Sequence, residues 1–118
     1  MAIPVEIWLR GDNHATSDHI TSVGVEARTW SDADVLTVLT EMLRALDRAK
    51  DPASDPNRPI ALKGFSWIVS PFESGVLIAL ELGLGAVVAG PFPIPEGDLT
   101  AKIERVMDAE RAATTTVH

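Results

Sequence analysis

The run Ile60–Phe92, IALKGFSWIVSPFESGVLIALELGLGAVVAGPF, constrains this chain more than any other stretch. It is the longest apolar segment, and the elements around it are short and punctuated by polar residues. Val76, Ile78, Leu80, Leu82, Leu84, Ala86 and Val88 are all apolar, while the positions between them are smaller on average and include Glu81. A period of two is the mark of a strand with one buried face. The preferred folding is a hairpin connected by Ser70–Gly75, with Leu80, Leu82 and Leu84 turned towards helices. A second folding stays open. Ser70 can act as an N-cap, Pro71 can stand at the first helical position, and Glu73 can close a capping box. Residues 71–83 are then helical and Ala86–Ala89 is a buried strand, a βαβ-like second half. Such a helix is apolar on nearly every side and has to be wholly buried. The β-branched Val76 and Ile78 favour the strand.

The first half supplies elements to pack on this run. Ile3, Val5, Ile7 and Leu9 alternate with Pro4, Glu6, Trp8 and Arg10, which predicts a strand. Gly11–Asp18 is a polar turn-forming loop. Within His19–Trp30, Val23, Val25 and Ala27 alternate with Gly24, Glu26 and Arg28 and predict a second strand, antiparallel to the first. Ser31 can cap the N–H of Asp34, and Val35, Leu36, Leu39, Met42, Leu43 and Leu46 form one apolar stripe. A helix over 32–49 follows. Lys50–Pro59 carries three prolines and reads as a surface loop. Gly90–Gly97 reads as an extended connection stiffened by proline. Asp98 is then placed to cap a second helix with Leu99, Ile103, Val106 and Met107 on its apolar side and a fraying end at Thr114–His118.

The expected architecture is therefore α+β, in the order β-β-α-β-β-α: a four-stranded, mainly antiparallel sheet with two helices on one face. At 118 residues the chain is expected to be a single domain, 1–118. Two helices leave the other face of such a sheet uncovered. That face is expected to carry Trp8, Glu26, Arg28 and the odd positions of 76–89. It also takes one of two sets, Phe65, Trp67 and Val69 or Leu62, Gly64, Ser66 and Ile68. Trp8, Glu26, Arg28 and Trp67 are the candidate interface residues, and a homodimer or a protein partner is expected on them.

Composition narrows the function classes. There is no Cys, which removes disulfide, thiol and Cys–zinc chemistry. The net charge of −7 disfavours contact with nucleic-acid phosphates, so no nucleic-acid partner is expected. MAIPVEIWLR alternates where a secretory signal would be uniformly apolar, and no stretch suits a membrane span. A cytoplasmic location and no membrane association are expected.

Few residues carry chemistry. Asp12, His14, Asp18 and His19 cluster in sequence, and imidazoles with carboxylates can hold a divalent metal or act as an oriented base. Loops also collect these residue types for backbone reasons, and the spacing matches no metal motif. Glu81 lies within the most apolar stretch. A buried carboxyl there would become a general acid, whereas an exposed one would meet Lys63 or Arg28 across the sheet. Gly83-Leu84-Gly85 lacks the pattern of a phosphate loop and suits a bulge or a close backbone approach. No cofactor is implied. The expected function is binding of another protein or of itself, without catalysis, in the manner of an immunity protein or antitoxin. A small enzyme or ligand binder using the 11–19 loop is the alternative.

Overall fold

In the computed structural model, residues 2–21, 26–53, 55 and 59–115 are described. The strands are β1 (Ala2–Leu9), β2 (Thr16–Thr21), β3 (Ser66–Phe72), β4 (Gly75–Leu82) and β5 (Gly85–Phe92). The helices are α1 (Asp32–Lys50) and α2 (Glu96–Thr115), and Ala27–Thr29 forms a single 3-10 turn. The strands form one sheet in the order β2-β1-β5-β4-β3, antiparallel at every junction.

The α+β class stands, but the sheet has five strands where four were expected. The run after Gly75 is two strands, not one. Gly83 and Leu84 make a two-residue turn, so Leu82 pairs with Gly85 and the inward parity reverses. Val76, Ile78 and Leu80 are buried as expected; beyond the turn Val87 and Ala89 are buried instead of Ala86 and Val88. Leu84, expected against the helices, sits in the turn and is exposed. The helical alternative for 71–83 is overturned, because β3 and β4 pair across a turn at Glu73 and Ser74. Glu73 takes a φ of 55°, which lets the chain reverse in two residues.

The second strand also shifts. It occupies Thr16–Thr21, ahead of the alternation used to predict it. Val23 and Val25 lie outside the described residues, and Ala27 belongs to the 3-10 turn. Of the tail expected to fray, Thr114 and Thr115 close α2, and 116–118 lie outside the described residues.

α1 forms where its cap dictates. Asp34 N–H donates to Ser31 Oγ at 3.2 Å, and Ser31 N–H donates to Asp34 Oδ2 at 2.9 Å, a complete capping box. Its inward stripe includes Val35, Leu39, Met42, Leu43 and Leu46. α2 starts earlier than expected, with the Leu99 N–H donating to Pro95 O and Asp98 already inside the first turn. Its Leu99, Ile103 and Val106 are buried. α1 packs on β1, β2 and β5, α2 packs on β3, and the two helices touch. Arg105 of α2 clamps Asp32 at the start of α1 with two bonds of 2.9 and 3.0 Å. The inward strand residues Ile3, Val5, Ile7, Ile78, Leu80 and Val87 meet both helices in one core. No described polar or charged residue is buried.

Candidate functional site

With both helices on one side, the opposite face of the sheet is open. Strand register assigns its rows. Ser17, Glu6, Val88, Ala79 and Ile68 lie side by side across all five strands. Trp8, Ala86, Glu81 and Ser66 form the neighbouring row. His19 stands opposite Pro4, and Leu77 opposite Ser70. The face is largely apolar and wet: Ile68 is 59% exposed, and Trp8 and Phe72 are each 46% exposed. Leu77, Ala79, Ala86 and Val88 are half-buried among them.

The face is also dented. The β4–β5 register slips between the Val76–Phe92 and Ile78–Ala89 pairs, so β5 spends an extra residue around Gly90 and Pro91. Gly90 has a φ of 119°, and a Cβ there would lie 2.8 Å from the Val76 carbonyl oxygen. Only glycine fits at this bulge, which lies beside a hollow in the face. The hollow is about 300 Å³ and is lined by Pro4, Glu6, Phe72, Leu77, Val88 and Pro91. It is a concave apolar site with one carboxylate at its rim.

Of the candidate interface residues, Trp8 is on this face as expected. The others are corrected. Trp67 pairs with Leu80 in the inward row and is half-buried on the helix side, which leaves Ile68 to the open face. Glu26 and Arg28 flank and join the 3-10 turn instead of a strand. They border a separate cavity of about 380 Å³ with Trp30, Phe92 and Pro93. Trp30 and Phe92 are both buried there and meet edge to face, centroids 5.1 Å apart. Ile68, Phe72, Leu77 and Val88 are the face residues that the interface candidates omitted. Strand parity in the sequence places Leu77 on this face and Ile68 in one of two sets, and Gly90-Pro91 at the end of an apolar strand marks the bulge beside Phe72 and Val88.

The loop cluster does not converge. Asp12 and His14 are exposed between β1 and β2, with the Asp12 N–H donating to Leu9 O. Asp18 and His19 are neighbours in β2 and so project to opposite sides. Asp18 turns towards α1, where its Oδ2 accepts from Arg48 at 3.1 Å. Partial burial works to raise the Asp18 carboxyl, but the His19 backbone N–H and the Arg48 guanidinium outweigh it and hold it below its usual value. Among the described residues no three His, Asp or Glu side chains come together as metal ligands.

Glu81 is exposed on the open face beside Ser66 and Ala86, in no ion pair among the described residues. The expected contacts with Lys63 or Arg28 are not formed. Arg10 is near it, but its Nε donates to the Gly83 carbonyl at 2.8 Å. No helix among the described residues is long and apolar enough to cross a membrane. Comparison with known proteins gives no match among protein-family models, curated sequences or solved structures.

Proposed function

We propose that this chain acts by binding another protein across its open sheet face, with the hollow between Phe72, Leu77, Val88 and Pro91 taking an apolar anchor from the partner. The hollow is the observation that carries the reading. Interfaces draw most of their affinity from a few apolar or aromatic anchors seated in pockets, surrounded by contacts that exclude water. Here a pocket lies beside exposed Ile68, Phe72 and Trp8 on a face that no element among the described residues covers. Glu6 lies at the rim of the pocket, and Arg10 stands near Glu81 further along the face. Glu6 and Glu81 are the acidic side chains of the described strands on this face, and the whole chain carries −7. Lys or Arg flanking an apolar anchor would complement it and speed encounter. An inhibitor of a basic protein, in the manner of an immunity protein or antitoxin, is the concrete form of this function.

Photo-crosslinking residues placed at Phe72 and at exposed Glu104 of α2 in source cells test it. Crosslinks to one protein are expected from the Phe72 position and not from Glu104. Leu77→Arg should weaken binding of that purified protein at least about tenfold. Crosslinks confined to the helix side would refute the reading. Stabilisation by Zn²⁺ or Mn²⁺ that is lost in His14→Ala would instead support a site in the 11–19 loop.

A further inference from the structure

The two edges of the sheet are β2 and β3, and they differ in kind. An edge strand presents unpaired N–H and C=O groups, and proteins guard such edges with charge, brevity, proline or bulges. β2, Thr-Ser-Asp-His-Ile-Thr, is guarded: Asp18 and His19 stand at its middle, and Asp18 is tied to α1 by Arg48. β3, Ser-Trp-Ile-Val-Ser-Pro-Phe, has no charged residue. It is also unbroken. Its register with β4 runs without a slip from Ser66–Glu81 to Phe72–Gly75.

The phase of its hydrogen bonds follows from the hairpin and from Pro71. In a two-residue hairpin the flanking pair, Phe72 and Gly75, exchanges both backbone bonds, and such pairs recur at every second residue. Ser70, Ile68 and Ser66 therefore bond to β4. Pro71 has no N–H to give and falls in the outward row, where none is needed. Trp67 and Val69 share that row. The free edge thus offers the N–H groups of Trp67 and Val69 and the carbonyls of Trp67, Val69 and Pro71.

We infer that this edge pairs antiparallel with β3 of a second copy about a twofold axis near Ile68, joining two five-stranded sheets into one. An antiparallel strand pair is self-complementary under a twofold axis. Pairing Trp67 with Val69 of the copy uses both outward donors on each chain. On the open side the two Ile68 side chains meet, which covers the most exposed large apolar residue among the described ones. Charge favours a second copy here and disfavours it on the open face. Two chains of net charge −7 can approach along a strip that holds no carboxylate, whereas face-to-face stacking would crowd Glu6 and Glu81 of both copies. The pairing lies in the plane of the sheet. It does not depend on the face-on binding proposed above, and it leaves the hollow accessible.

Sedimentation equilibrium of the full chain across a wide concentration range, with backbone amide exchange followed residue by residue, tests the inference. The expected particle is a dimer, twice 12.7 kDa, in which the Trp67 and Val69 amides are protected. Ile68→Lys places like charges at the axis and should weaken the dimer at least about tenfold while freeing those two amides. Trp8→Lys, on β1, should leave the dimer intact. A monomer at every concentration overturns the inference, as does a dimer whose Trp67 and Val69 amides exchange freely. Dissociation by Trp8→Lys but not Ile68→Lys would assign self-association to the open face instead. The amide readout needs no variant, so it holds even if a substitution disturbs folding.

Discussion

At the scale of single residues, two glycines two positions apart do different work. Gly85 opens β5 opposite the β1 backbone, and a Cβ there would fall on the Trp8 carbonyl oxygen and lie 2.9 Å from Leu9 Cα. Neither is a flexible side-chain end that could move aside. Gly85→Ala is expected to cost about 2–3 kcal/mol through forced backbone shifts. A Cβ on Gly83, in the turn, meets nothing within 4 Å. Gly83→Ala should change stability by no more than about 0.5 kcal/mol. Urea unfolding of the two variants measures the difference; equal effects would show that β1 and β5 do not approach so closely. The sequence allowed these glycines a bulge or a close approach, and Gly85 has the close approach. Which glycine needed it could not be read locally, because the obstructing atoms belong to residues far away in the chain.

At the scale of elements, Asp18 and Arg48 couple β2 to α1. The carboxyl is held below its ordinary value of 3.8, so the charged form is the one that the fold favours. A depressed folded pKa contributes stability above the unfolded value, and that contribution fades as pH falls through 3.8 and below. Both partners are more than a third exposed, so solvent screens the pair. Asp18→Asn should therefore cost less than about 1 kcal/mol near neutral pH. The cost should shrink towards zero in acid and also in high salt. Urea titrations of both proteins on either side of that range check the sign; a gap that widens in acid would refute it. The same pair shows why Asp18 and His19, adjacent in the Asp12–His19 stretch, stand apart. Closeness in sequence suggested convergence, but strand alternation sends Asp18 to the helices and His19 to the open face. The elements themselves were partly legible. The Ser31–Asp34 box and its apolar stripe define α1 locally, and the structure places that helix within one residue of its predicted end. The Gly83–Leu84 turn was not legible, since an uninterrupted apolar run suits one long strand as well as two short ones.

At the scale of the whole molecule, one contiguous core joins both helices to all five strands. Trp30 is buried in it at 3% exposure beside Phe92, far along the chain. A single shared core should melt as a unit. Tryptophan fluorescence and far-ultraviolet circular dichroism are expected to report the same urea midpoint. Separate midpoints would mean two units instead of one. Local pattern set the alternation of β1, the inward residues of β4 and the start of α1, because these depend on residues two to four apart. It also implied an uncovered sheet face, since two helices shield only one side. Long-range packing set the rest: that β1 pairs with β5, that the inward parity reverses after Gly83, and that β5 bulges at Gly90–Pro91 beside the hollow in the open face. Those outcomes depend on which distant backbone lies opposite. Many pairings satisfy the same local pattern, and packing of the whole chain selects one.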